Sequence, residues 1–169
     1  FLREMDSQKV LPDTDTQLHI WIERVAGFPR GLEALVGYLN GGDTRHMEDL
    51  LDDPNLFEGE VLSNIVHHAH NTLPADFRHV LAGVAVIGQS TTRAEVEYLL
   101  TPYLESARLR RILERLVESR FLTYHRQNRT YSLHPIDLAY ALSSTAEGSS
   151  DDAENAFTRH VLHRRMAGY

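Results

Sequence analysis

The 169-residue chain contains no cysteine, which excludes disulfides and thiolate metal sites and leaves a cytoplasmic setting as the default expectation. Lysine is nearly absent too. Lys9 is the sole one, and no Gly-x-x-x-x-Gly-Lys-Ser/Thr loop occurs, so nothing in the chain cradles a triphosphate and its magnesium. Neither a His-Glu-x-x-His zinc motif nor a Gly-x-Ser-x-Gly elbow is present, which leaves metal-dependent and serine hydrolysis without a motif. No apolar run approaches the ~20 residues a bilayer crossing needs. The opening Phe1-Leu2-Arg3-Glu4-Met5-Asp6 carries charge where a signal peptide has its apolar core. No membrane partner is expected. Basic charge is also in short supply: 17 Lys+Arg face 24 Asp+Glu, a formal net charge of −7, so there is no global electrostatic footprint for nucleic acid.

Glycine and proline are few, ten and six, and they punctuate long stretches of helical apolar spacing. The expected fold is mostly α. A polar stretch with Pro12 leads to a helix over residues 15–26, whose Leu18, Ile22 and Val25 share one face. Gly27-Phe28-Pro29 then reads as a tight corner, glycine after one helix and proline in the first turn of the next. That next helix offers Leu32, Leu35, Val36 and Leu39 and stops at Gly41-Gly42. A short helix at 45–51 and a longer one at 57–71 complete a small helical-bundle domain over 1–73, closed by Leu73-Pro74.

The second half reads as helix, helix, helix, hairpin, the order of a winged-helix domain over 74–144. Phe77, Val80, Leu81 and Val84 mark its first helix, stopped by Gly88. Thr92 with Glu95 makes a capping box for the second, which carries Val96, Leu99 and Leu100. The third, over 105–119, has the clearest apolar stripe of the chain: Leu109, Ile112, Leu113, Leu116 and Val117. Phe121 to His125 and Thr130 to Leu133 form one β-hairpin around Gln127-Asn128. A helix over 135–142 follows. Residues 145–169 are a Ser/Gly/Asp-rich linker and a terminal helix over 153–166, with Phe157, Val161 and Leu162 as its apolar face.

Two short elements carry the functional reading. Gly27-Phe28-Pro29-Arg30-Gly31 stands at the corner just described, and Tyr131-Ser132-Leu133-His134-Pro135-Ile136-Asp137 follows the hairpin. Pro135 suits a first helical turn and pushes His134 toward an extended backbone, which holds the imidazole at the positive end of a helix. Taken singly, His134 reads as a partly buried helix cap and Pro29 as an ordinary αα corner. Taken together and in this order, they resemble the middle of a STAND-type (NB-ARC-like) regulatory ATPase, and the resemblance covers nearly the whole chain. It implies that Gly27 and Pro29 form the Gly-x-Pro element of the small helical domain, with the proline near the adenine. It also implies that Leu133-His134 are the first two positions of the Met-His-Asp-like motif, whose histidine contacts the β-phosphate of ADP. Pro135 stands where that motif has its aspartate, and Asp137 is the nearest acidic residue.

The resemblance further implies an ADP/ATP-binding parent protein used in signal transduction, with a phosphate-loop ATPase domain upstream and a repeat domain downstream as intramolecular partners. Homo-oligomerisation on activation is the family's output. The chain itself is expected to be no enzyme, to have no catalytic or metal-binding residues, and to hold no cofactor in isolation. It begins without methionine and is read as an excerpt.

Other constellations point elsewhere or nowhere. Arg108, Arg111 and Arg115 lie along one side of the third winged-helix helix and are spaced for phosphates, but Glu114 and Glu118 interleave with them, so a solvated or domain-docking face is expected over nucleic acid. His67, His68 and His70 lie on one helix, but the first two project about 100° apart, which suits surface histidines better than a metal site. Two rival functions therefore stay open: a winged-helix DNA-binding regulator, and a passive scaffold joining an ATPase to repeats.

Overall fold

The computed structural model describes residues 15–25, 29–40, 61–88, 90–148 and 156–169. Expectations for the first fourteen residues, Gly27, the short helix at 45–51, the start of the helix at 57–71 and the linker at 149–155 lie outside them. The chain divides into two compact units, Phe1–Leu73 and Pro74–Tyr169. The division falls at the Leu-Pro break. Eight helices and one three-stranded antiparallel sheet make up the described residues.

Unit 1 has α1 (Asp15–Arg24), α2 (Pro29–Asn40) and α3 (Val61–Asn71). Its core is built from the apolar stripes that the 3.6-residue period aligns: Leu18 and Val25, Leu32 and Val36, Ile65, Val66 and Ala69 are all buried. Helices α2 and α3 pack together. A Cβ at Gly31 of α2 would meet Leu62 of α3 and Val25, just after α1, at 3.5 Å, ordinary contact distances.

Unit 2 begins with α4 (Ala75–Ile87) and continues through β1 (Thr91–Thr92), α5 (Arg93–Leu100), α6 (Ser106–Glu118), β2 (Thr123–His125), β3 (Thr130–Ser132), α7 (Pro135–Ser144) and α8 (Arg159–Met166). The sequence marks α4 by Phe77, Val80, Leu81 and Val84, yet every residue from 80 to 86 is buried. A helix apolar on all sides must be covered on all sides. The cover comes from α5, α6, α7 and α8, each of which packs on α4. Gly83 lets α5 approach closely, since a Cβ there would stand 3.3 Å from three atoms of Leu100. The helix ends at Gly88, whose φ of 76° is the left-handed conformation of a helix stop.

Helix α6 buries Leu109, Ile112, Leu113 and Leu116, whereas Val117 is only half-buried at the edge of the stripe. Phe121 and Leu122 are buried but precede the strand they were expected to join. The Leu122 N–H donates to the Leu116 carbonyl at 3.0 Å, and Arg120 turns the chain with a φ of 64°. Both hold these residues to the end of the helix, so pairing starts only at Thr123.

The sheet has a third strand that the sequence reading treats as a helix cap alone. Thr91 pairs with Tyr131 and Thr92 with Thr130, giving the order β1-β3-β2. Thr92 also caps α5. Its hydroxyl accepts from the Glu95 N–H at 3.3 Å, and its own N–H donates to the Glu95 carboxylate at 2.6 Å. That backbone hydrogen bond, with those from the Thr92 and Thr91 hydroxyls, holds the Glu95 carboxyl below its ordinary range. Thr92→Ala is expected to destabilise unit 2 by about 0.5–2 kcal/mol, the usual loss on removing a threonine cap. Urea denaturation would measure it.

The terminal helix differs from expectation in both extent and role. It starts at Arg159 because Thr158 caps it, the Thr158 hydroxyl accepting from the Val161 N–H at 3.4 Å. Phe157 therefore precedes the helix. Val161 and Leu162 are fully buried, and α8 packs on α4 and α5, so unit 2 extends to Tyr169. The Arg159 and His160 N–H groups donate to the Ala146 and Glu147 carbonyls at 2.8 and 2.9 Å, which ties the end of α7 to the start of α8.

Candidate functional site

Pro29 is the first residue of α2, and its ring is exposed on unit 1. The next residue is a surprise. Arg30 is only 7% exposed and lies 3.4 Å from Glu33, one helical turn along, although nothing in the local pattern distinguishes it from a surface arginine. A buried guanidinium must be paired, and Arg30 has partners beyond Glu33. The residue after the Gly-x-Pro element is thus fixed within unit 1 and unavailable as a free cation.

His134 lies on unit 2 between β3 and α7 with φ −64° and ψ 144°, the extended backbone that a following proline enforces. Its ring is exposed, and Nδ1 accepts from the Ile136 N–H at 3.4 Å as the N-cap of α7. With Nδ1 in use as an acceptor, the neutral ring carries its proton on Nε2. Nε2 has no partner among the described residues. The cap therefore leaves Nε2 as a donor at the positive end of the α7 dipole.

Asp137, the acidic residue nearest the motif, is 0% exposed and has an interaction of its own. It is part of the structural base of α7, not a group open to solvent. Pro29 and His134 belong to different units, and each is accessible on its own unit.

A second polar cluster sits on α4. The His79 ring stacks on Phe157 with centroids 3.9 Å apart and planes 24° apart, and Tyr103 meets Phe157 edge-on at 5.1 Å. The Tyr103 hydroxyl donates to the Ala156 carbonyl at 2.8 Å, so the cluster fastens the segment before α8. Burial pushes the His79 imidazole below its ordinary value and raises the Tyr103 phenol; for His79, Asp76 opposes the shift and Arg78 adds to it.

A histidine whose folded pKa is depressed binds fewer protons folded than unfolded. Its contribution is therefore fully present above the unfolded pKa of about 6.5 and is lost as pH falls through the folded value. Unit 2 is expected to lose stability below about pH 6.5. In His79→Phe, which keeps an aromatic ring against Phe157, that loss should be smaller. Melting temperature against pH for the two proteins would check it.

The histidines of α3 do not converge: His67 is exposed, His68 half-buried and His70 buried. Among the described residues, no group of three or more His, Cys, Asp or Glu is placed to hold a metal ion. No described helix is long and apolar enough to cross a membrane. Comparison with protein-family models, with curated proteins and with solved structures returns no match for this chain.

Proposed function

We propose that this chain is the nucleotide-sensing portion of a STAND-type (NB-ARC-like) signal-transduction ATPase, with unit 1 as its small helical domain and unit 2 built on its winged-helix domain. The observation that carries the reading is His134. An exposed ring has Nδ1 committed to the α7 cap and Nε2 left as a donor, which suits recognition of a phosphate oxygen. The order α4-β1-α5-α6-β2-β3, with β1 pairing on the hairpin, supports the winged-helix assignment. An exposed Pro29 at the start of α2 supports an apolar contact with a purine face.

In this reading ADP is held by an upstream phosphate-loop domain, and each unit contributes its own contact, Pro29 to the base and His134 to the β-phosphate. Gly27 enters this reading only through the sequence, as the first position of the Gly-x-Pro element. The chain performs no hydrolysis; it stabilises the ADP-bound state. Exchange for ATP removes the His134 contact and frees the winged-helix unit to move as a rigid body, which exposes surfaces for self-association. A ligand shifts such an equilibrium only by its differential affinity, and a donor that reads one phosphate supplies that difference. The test is the ADP dissociation rate of the intact polypeptide with and without His134→Ala. An unchanged rate would leave a passive linking role.

A further inference from the structure

We propose that the outer face of α6 and the β2–β3 turn together form a binding surface for the phosphate backbone of duplex nucleic acid. Residues 105–129 contain seven arginines and three glutamates, a local charge of +4 in a chain whose formal total is −7. At ~0.1 M salt, charges more than about 10 Å apart are largely screened from one another. Of the acidic residues outside this window, Asp76 reaches the surface by pairing with Arg108, which still leaves the surface net positive.

The fold changes the balance that the helix sequence shows by itself. Leu109, Ile112, Leu113 and Leu116 face the core, which leaves Arg108, Arg110, Arg111 and Arg115 on the exposed side of α6. Arg110 lies 3.6 Å from Glu114 and offsets its charge, and Arg108 pairs with Asp76 of α4. Arg111 and Arg115 have no ion-pair partner among the described residues. The turn between β2 and β3 adds Arg126 and Arg129, both exposed and likewise without a partner among the described residues.

The hairpin starts directly from the last turn of α6 through the Leu122-to-Leu116 and Arg120-to-Val117 backbone hydrogen bonds. Its Tyr131 lies close enough to Glu114 of α6 and Arg93 of α5 for their charges to act on the phenol, which burial chiefly raises. Tyr124, 38% exposed and 5.0 Å from Tyr131, gives the hairpin an aromatic ring beside its two arginines.

Arg108, Arg111 and Arg115 recur every three or four residues along about 10 Å of helix, and Arg126 and Arg129 stand exposed on the hairpin that follows it. Guanidinium forks repeated in this way suit the repeated phosphates of a duplex, with a helix against one groove and a projecting hairpin against the adjacent backbone. Glu118 stands exposed on the same face and opposes base-edge contact. Binding is therefore to backbone and indifferent to sequence.

The test uses the whole 169-residue chain and a labelled random-sequence duplex, followed by fluorescence anisotropy across a salt series. Expected is a dissociation constant on the order of 10⁻⁶–10⁻⁴ M at physiological salt, and a log–log salt slope near −3.6 for about four neutralised phosphates. Arg126→Glu with Arg129→Glu should weaken binding at least ~10-fold and make the slope shallower by about 2. No binding at low salt, a slope shallower than about −1, or an affinity unmoved by these reversals would overturn the proposal. So would polyglutamate displacing the duplex at equal concentration, which would make the surface a dock for an acidic protein.

Discussion

Leu113→Ala is expected to destabilise unit 2 by about 2–5 kcal/mol, whereas Arg111→Ala, two residues away on the same helix, should cost less than ~1 kcal/mol. Leu113 is 0% exposed, at the centre of a stripe that packs α6 onto α4 and α5. Truncation there removes buried methyl groups and leaves a cavity, because the surrounding helices are fixed by their own buried residues and relax only in part. Arg111 is exposed and has no ion-pair partner among the described residues, so its loss removes little from the folded state. For a unit of this size, each kcal/mol lowers the melting temperature by roughly 4–8 °C. The two variants should therefore separate by about 4 °C at the least, and by more than about ten degrees if Leu113→Ala costs the middle of its range. Equal losses would mean that α6 is rotated about its axis relative to the arrangement described.

The second large effect belongs to the nucleotide reading. His134→Ala in the intact polypeptide is expected to speed ADP release by roughly tenfold to a few hundredfold, since a hydrogen bond to a charged group contributes ~1.5–3 kcal/mol. The ring is exposed, so its removal opens no core cavity, and the lost Ile136 cap bond is long at 3.4 Å. The fold should persist while the off state leaks. Asp137→Ala makes a useful contrast. A fully buried carboxylate with a partner of its own serves the structure, so its removal should lower the stability of unit 2. ADP release measured beside a melting curve would separate the two: His134→Ala should move the first with little change in the second, and Asp137→Ala should move the second.

The parts of this protein legible in its sequence are those fixed within a few residues along the chain. The stripe from Leu109 to Leu116 follows from side chains three and four apart sharing a helix face. The Thr92–Glu95 capping box closes within one turn, and Pro135 sets the backbone of His134 without any distant contact. Helical content, the stop at Gly88, the hairpin and the cap position of His134 were readable for that reason.

Only tertiary structure decided what pairs across long separations. A two-residue strand has no period to detect, so Thr91–Thr92 becomes part of a sheet only because Thr130 and Tyr131 arrive beside it some forty residues later. Residues 80–86 are apolar and small whether the helix is covered on one side or on all, and the packing of α5 to α8 around them settles which. Burial of Asp137 and Arg30 depends on neighbours brought in by the fold, and so does the joining of α8 to unit 2. Charge follows the same division. The total of −7 is a property of composition, but the arginines of α6 stand together on its exposed side because the core takes the leucines.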